Sequence, residues 1–131
     1  MPKTTTRLNH SIVTARLVAR YEGQYVVAQR RSGSQNGLWE FPGGKLDTQD
    51  FNRASRLKVP VLAVTACREF GEEIGCEVSP NIVGNFVTYD RAVHPDGVEQ
   101  NAHVALVDVL EEPPLDTYDR SEVQCVKLIP L

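Results

Sequence analysis

The alternation of apolar and polar positions predicts about six β-strands along the chain. Short runs rich in β-branched and aromatic residues are separated by turn-forming residues, which is typical of strands. Glu22-Gly23 indicates a turn and therefore a first hairpin, and Pro95-Asp96-Gly97 indicates a second hairpin with a long loop. The predicted strands cover residues 11–20, 25–29, 38–41, 82–89, 102–110 and 123–129.

One segment has the periodicity of a helix. Pro60 suits the first turn of a helix, and Gly75 suits the residue that follows its last turn. Between them, apolar residues recur at helical spacing and fall within an arc of about 100°, which is the width of a core-facing stripe. These residues are Ala63, Ala66, Cys67, Phe70 and Ile74. The pattern predicts a helix over residues 60–75 that packs on the sheet.

Three carboxylates, Glu69, Glu72 and Glu73, lie on one face of this helix, beside the apolar stripe. Like charges four residues apart repel by a few tenths of a kcal/mol, and Gly71 costs about 1 kcal/mol relative to alanine. One interpretation is a solvated acidic face. The other is a site for a hard divalent cation, which prefers oxygen ligands. The helix alone leaves both interpretations open.

The loop before the helix favours the cation. Pro42-Gly43-Gly44 directly follows the short apolar strand that includes Trp39 and Phe41. Glycine lets the backbone approach a ligand closely, and its carbonyl oxygen is a hard metal ligand. In isolation the motif predicts a tight turn. Together with the acidic helix it favours a metal and phosphate site.

At these residues the sequence resembles the Nudix hydrolases, whose motif begins with a glycine and ends in an acidic helix. Gly44 matches the opening glycine, and the run 38–45 (LWEFPGGK) looks like the MutT branch. The second half of the motif is matched by Arg68, Glu69, Phe70, Glu72, Glu73, Gly75 and Cys76.

The resemblance implies an α+β fold, an α/β/α sandwich in which the loop and helix pack against a mixed sheet. We expect one domain over residues 1–131, with the C-terminal helix of MutT-like relatives absent or short. Asp50 stands where the motif has glutamate, and about ten extra residues lie near 51–60. This segment is interpreted as a surface insertion, which loops tolerate at low cost. A basic flap near the phosphate site and a dimer contact are the alternatives.

The activity implied by the resemblance is Mg²⁺-dependent hydrolysis of a nucleoside diphosphate linked to another group, with Mn²⁺ as a substitute metal. Glu69 and Glu73 are the expected metal ligands. Glu72 is expected to be a third ligand or the base that activates water. The Gly44 carbonyl is a further ligand, and Arg68 is expected to fix a glutamate rotamer. Catalysis is therefore assigned to Glu69, Glu72 and Glu73, supported by Arg68.

Substrate contacts are expected from residues around this motif. The candidates are Arg30 and Lys45 for phosphate, Phe41 for the base, and Glu122 as an extra ligand or base. Trp39, Phe41 and Tyr89 are able to stack on a base, but burial in the core is the favoured interpretation for each. The expected substrate is a (deoxy)nucleoside triphosphate. ADP-ribose, dinucleoside polyphosphates, capped RNA and a non-catalytic nucleotide-binding module remain open.

Composition narrows the class of protein. The chain has 131 residues and a formal net charge of −3, which does not favour a duplex-DNA binder. No apolar run approaches the ~18 residues of a membrane span, and residues 1–7 lack the apolar stretch of a leader. Cys67, Cys76 and Cys125 lack metal-site spacing, which suits a reducing cytoplasm. A homodimer is compatible with the sequence.

Overall fold

The computed structural model describes residues 11–31, 33 and 36–130; the segment 1–7 considered above lies outside this part. Within these residues the chain forms seven strands, two α-helices and one 3₁₀ turn. In order they are β1 (Ser11–Tyr21), β2 (Gln24–Arg30), β3 (Trp39–Glu40), β4 (Gly43–Lys45), α1 (Thr48–Leu57), α2 (Val61–Ile74), the 3₁₀ turn (Pro80–Ile82), β5 (Val87–Val93), β6 (Glu99–Asp108) and β7 (Val123–Pro130). No helix in the described ranges is long and apolar enough to cross a membrane.

All seven strands belong to one mixed sheet. β1 and β6 pair in parallel along their length, from Ser11 opposite Glu99 to Arg20 opposite Asp108. The remaining pairs are antiparallel: β6 with β5, β2 with β7, and β1 with β2. The predicted mixed sheet is therefore confirmed.

The segment that contains the glycine pair fills a gap inside the sheet. β1 and β2 pair only near their turn, where Arg20 is opposite Tyr25. Beyond that point they separate, and β3 pairs with β2 while β4 pairs with β1. The carbonyl of Pro42, between β3 and β4, accepts a hydrogen bond of 2.9 Å from the Leu17 backbone N–H. The tight turn expected at Gly43 and Gly44 is wrong, because backbone pairing with β1 makes them strand residues.

The core lies between the sheet and α2. Ala15, Leu17 and Ala19 alternate along β1 on the face toward α2 and are fully buried. All five apolar residues of the predicted helical stripe are buried, with Phe70 and Ile74 completely covered. α1 packs on α2, which contacts β1 and β4. The expected α+β class, with the loop and helix packed on the sheet, is confirmed.

The extra segment near 51–60 is mostly a helix, not a loop. Asp47 accepts a hydrogen bond from the Gln49 backbone N–H, and the Asp50 side chain reaches back to the Asp47 N–H, which forms a capping box. Ala54 is buried on the inner side. This cap and the contact with α2 order the segment as a helix. The interpretation as a surface insertion, with a basic flap or a dimer contact as alternatives, stays a prediction. The signal in the sequence was the pair of aspartates three residues apart.

The second hairpin also differs from the prediction. Residues 80–82 form the 3₁₀ turn, and β5 starts at Val87 rather than at Ile82. β5 and β6 extend further toward each other than expected, which leaves a connection of five residues, 94–98. The β5–β6 register shifts between Thr88 and Asp90, so Tyr89 lies in a β-bulge.

Candidate active site

Helix α2 places two of its glutamates against the sheet and leaves the third in solvent. Glu73 is 5% exposed, and the Glu69 side chain, one turn earlier, is 18% exposed. The Glu72 side chain is 59% exposed. The three carboxylates therefore do not share one environment, because the sheet covers only the side of the helix that carries Glu69 and Glu73.

Neither Gly43 nor Gly44 has room for a side chain. A Cβ atom at Gly44 would overlap the Glu69 carboxylate, and one at Gly43 would overlap the Arg16 side chain and the Ala15 carbonyl. Close backbone approach of this kind requires glycine. Gly44 therefore lies directly against Glu69, as the interpretation of a shared metal site requires.

Arg68 is held by acceptors from three elements. Its Nε donates to Asp50 Oδ1 at 2.9 Å and its Nη1 to Glu69 Oε1 at 2.9 Å. Its Nη2 donates to the Lys45 carbonyl at 3.0 Å, whereas Glu72 is more distant, with 3.4 Å between Nη1 and Oε1. This fork of hydrogen bonds fixes the rotamer of Glu69 rather than that of Glu72.

Asp50 is the buried anchor of this network. It accepts hydrogen bonds from Arg68 and, at 2.8 Å, from the Thr65 hydroxyl. Burial favours the neutral acid, but the Arg68 guanidinium and the Asp47 and Thr65 hydrogen bonds outweigh it and lower the pKa of Asp50. The aspartate that replaces the expected glutamate thus still pairs with Arg68, and α1 carries it into place.

Burial makes ionisation of both inner carboxylates more costly. Burial is the main reason that the pKa of Glu73 rises to about 8, and the Glu69 and Glu40 charges add to it while Arg16 opposes it. Burial also raises the pKa of Glu69, against the Arg68 charge and with further repulsion from Glu72 and Glu122. Excess negative charge in a partly covered site is what a bound cation would relieve.

The donor set fits a hard divalent cation that is shared with a substrate. Mg²⁺ prefers oxygen ligands and is usually held by one or two carboxylates plus phosphate and water. Glu69 and Glu73 supply two carboxylates, and Gly44 lies in contact with the first of them. Within residues 11–31, 33 and 36–130, no three His, Cys, Asp or Glu side chains form a metal cage by themselves. The fit is therefore to a site that a phosphate substrate completes.

A cavity of about 670 Å³ opens on the face of the sheet opposite α2. Trp39 is 41% exposed and Tyr89 is 53% exposed, and both line the cavity together with half-buried Phe41. The favoured interpretation that these three aromatic residues are buried in the core is wrong, because α2 covers only the other face. The cavity is lined by Thr14, Arg16, Val18, Val27, Trp39, Glu40, Phe41, Tyr89, Asp90, Gln100, Ala102, Val104 and Ile129.

The other predicted substrate residues are spread around this region. Arg30 Nη1 lies 3.2 Å from the Glu40 carboxylate and does not line the cavity. The Lys45 side chain is exposed, and its carbonyl serves Arg68. Glu122 lies near enough to raise the pKa of Glu69. Phe41 is therefore in the cavity and Glu122 near the carboxylates, while the roles of Arg30 and Lys45 stay predictions.

Sequence reasoning missed Arg16 and Glu40. Arg16 Nη1 donates to the Phe41 carbonyl at 2.8 Å and lies 3.5 Å from Glu40, at the wall of the cavity. The available signal was strand alternation: an arginine between buried Ala15 and Leu17 must point to the other face. Its meaning was hidden because the sequence does not say what occupies that face.

Comparison with known proteins identifies the family. The model of the NUDIX domain matches residues 9–131. The chain belongs to the NUDIX domain family. The recognition made from Gly44 and the acidic helix is therefore confirmed. No curated protein matches the sequence at a significant level.

Solved structures of Nudix proteins share the fold. A NUDIX hydrolase from Alicyclobacillus acidocaldarius is 20% identical with a TM-score of 0.69, over 92% of this chain and 79% of that one. A MutT NUDIX hydrolase from Burkholderia pseudomallei is 18% identical with a TM-score of 0.60, over 91% and 82% of the two chains.

A third structure is a bifunctional NMN adenylyltransferase/ADP ribose pyrophosphatase from Francisella tularensis, complexed with AMP and Mn. It is 18% identical with a TM-score of 0.67 over 99% of this chain, which spans 40% of that protein. At these identities the likeness supports the fold. The NUDIX domain match supports a hydrolase of nucleotide diphosphate linkages.

Proposed function

We propose that the protein hydrolyses a (deoxy)nucleoside triphosphate to the monophosphate and pyrophosphate. Water attacks one of the two phosphorus atoms of the α–β anhydride and gives up a proton, the bond between that phosphorus and the bridging oxygen breaks, and the other fragment leaves with the electron pair of that bond. The observation that carries the proposal is the contact between Gly44 and the Glu69 carboxylate. Glu69 lies one helical turn before Glu73, and the same sheet carries the aromatic cavity.

In this proposal Glu69 and Glu73 hold a divalent cation, with the Gly44 carbonyl as a further ligand. Such a cation, Mg²⁺ or Mn²⁺, would neutralise phosphate charge and lower the pKa of a bound water. Arg68 is a positioning residue, since its hydrogen bonds to Asp50 and Glu69 set the glutamate rotamer. Glu72, which is exposed, and Glu122 both act electrostatically on Glu69, and each is a candidate for the base that activates water.

In this proposal the nucleoside binds in the cavity on the open face of the sheet. Trp39, Phe41 and Tyr89 line this cavity, and stacking on aromatic rings tolerates any base. Arg16 and Glu40 line the same cavity, and both charges act on the Glu73 carboxylate. The proposal therefore has the base in the cavity and the diphosphate at the carboxylate pair.

The test is hydrolysis of a substrate panel with Mg²⁺, in which pyrophosphate and phosphate are scored separately. The panel contains the common ribo- and deoxyribonucleoside triphosphates, oxidised forms of them, ADP-ribose, dinucleoside polyphosphates and capped RNA. Pyrophosphate release from triphosphates is expected. Turnover of ADP-ribose alone would overturn the triphosphate assignment and leave a Nudix hydrolase. Nucleotide binding without any turnover would favour the non-catalytic module.

The cellular compartment and the partners of the protein are also proposed from the sequence. Cys67, Cys76 and Cys125 are all free thiols, which supports a reducing, cytoplasmic compartment. The substrate is a small nucleotide, and a homodimer remains a prediction that sedimentation analysis tests.

A further inference from the structure

Arg16 is a cation that the motif does not account for. It projects from β1 to the open face of the sheet, where it lines the aromatic cavity, and its side chain is 19% exposed. Its stem lies across Gly43, since a Cβ atom there would overlap the Arg16 side chain. The first glycine of the pair thus makes room for Arg16, and the second makes room for Glu69.

The Arg16 guanidinium is held by protein contacts at Nη1 only, among the groups that the structure describes. Nη1 donates to the Phe41 carbonyl and faces Glu40, at 2.8 and 3.5 Å. Nε and Nη2 donate no hydrogen bond to any protein group in the described ranges, and neither is sealed from solvent. An arginine held in this way keeps a fork of donors in place, which is the geometry that recognises two oxygens of a phosphate.

The position of Arg16 determines which phosphate it meets. Arg16 lines the cavity together with Trp39 and Tyr89, and its charge also favours ionisation of the Glu73 carboxylate. A nucleotide with its base in the cavity and its diphosphate at the carboxylate pair passes the guanidinium with its innermost phosphate.

We infer that Arg16 binds the phosphoryl group attached to the nucleoside, with Glu40 and the Phe41 carbonyl as its positioning partners. This inference rests on the proposed function, because it uses the same cavity for the nucleoside. It names a substrate-binding residue outside the Nudix motif. Arg30, which pairs with Glu40 from the side and does not line the cavity, is a support for Glu40 in this arrangement.

The experiment measures what the phosphate adds to binding, without metal and without turnover. AMP, GMP, CMP and UMP are each titrated against the matching nucleoside in EDTA. The signal is the fluorescence of Trp39, the one tryptophan of the chain, which lines the cavity. The quantity compared is the ratio of monophosphate affinity to nucleoside affinity.

In Arg16→Gln this ratio is expected to fall about tenfold or more, the size of a charge-assisted contact, while nucleoside affinity stays within about twofold. Arg16→Lys is expected to restore part of the ratio, since it keeps the charge and loses the fork. Arg20→Gln is the matched control, because Arg20 lies on the same strand and pairs with Asp108 at 2.6 Å. The control is expected to leave the ratio unchanged.

The inference is overturned if the ratio is unchanged in Arg16→Gln, if both affinities fall together, or if no nucleotide binds. Equal falls would mean that Arg16 only shapes the cavity. The outcome is separable from that of the proposed function. If the wild type hydrolyses nothing in the Mg²⁺ panel and the ratio still collapses, the hydrolysis proposal fails and the role of Arg16 stands. If hydrolysis occurs and the ratio is unchanged, the reverse holds.

Discussion

The two faces of the sheet are built from the same strands and have different tasks. Along β1, Ala15 and Leu17 are fully buried under α2, while Arg16 and Val18 line the open cavity. Alternation along a strand sends neighbouring residues to opposite faces. One face therefore forms the core, the other is the proposed binding surface, and mutations on each should have different consequences.

The glycine pair lies where these two regions meet. Gly43 is in contact with Arg16, which reaches the cavity, and Gly44 is in contact with Glu69 on the helix side. Because β4 is paired to β1 by its backbone, it brings both contacts into register without side chains of its own. Substitutions on the core face are expected to lower mainly stability. Substitutions at the glycine pair are expected to lower mainly turnover, and substitutions on the open face mainly substrate affinity.

The largest effect is expected on the core face. Phe70→Ala removes the largest fully buried side chain and leaves a cavity between α2 and the sheet. The free energy of unfolding is expected to fall by about 3–5 kcal/mol, measured by urea denaturation. A loss below about 1 kcal/mol would mean that packing of α2 on the sheet does not provide the main stabilising core.

At the boundary, Gly44→Ala is expected to lower kcat about 100-fold, because the new methyl group displaces the Glu69 carboxylate. Its matched control is Gly71→Ala, in α2, where the nearest atom to an added Cβ is 3.7 Å away. That control is expected to keep its activity and to gain about 0.5–1 kcal/mol, since alanine is the better helix former. Equal kcat values in the two variants would mean that catalysis does not depend on the space that Gly44 leaves for Glu69.

Asp50→Asn tests the hydrogen-bond network that joins Asp50, through Arg68, to Glu69. Loss of the charged acceptor for Arg68 is expected to cost about 1–3 kcal/mol. Because the folded-state pKa of Asp50 is lowered, its stabilisation is present above the unfolded value of about 4 and is lost as the pH falls through the folded value. Unfolding curves from pH 6 to pH 3 should therefore converge for wild type and variant. Parallel curves would exclude the carboxylate as the cause.

The smallest effect is expected on the open face. Tyr89→Ala removes an exposed ring from the cavity wall, so stability should change by less than about 0.5 kcal/mol. KM for every nucleotide is expected to rise about fivefold, the size of one stacking contact. Tyr89→Phe keeps the ring and should behave as wild type. A change in kcat with constant KM would contradict a role in base binding.

The sequence predicted the helix-covered face well because local rules decide it. The apolar stripe around Phe70 and the stop at Gly75 depend only on residues that are near each other in the chain. The motif pointed to Glu69, Glu72 and Glu73 together, and it did not predict that the sheet covers the first and the last and leaves Glu72 exposed, since the helix alone does not say how far the sheet covers it.

The open face and α1 were less predictable for a physical reason. Whether Tyr89 is buried depends on what packs against the sheet from far along the chain, and periodicity does not contain that information. The order in 48–57 depends on the Asp47 cap together with contacts to α2. The role of Arg16 likewise appears only when Gly43 is brought beside it by β4.

The most direct test of the account is metal binding by the carboxylate pair, measured as the shift of Tm with Mn²⁺ or Mg²⁺ relative to EDTA. A cation that binds only the folded state raises Tm. The wild type should show the shift, and Glu69→Gln and Glu73→Gln should lose it while remaining folded. Asp116→Asn, which neutralises a surface carboxylate elsewhere, should keep it. An undiminished shift in both glutamine variants would contradict the metal site and the chemistry built on it.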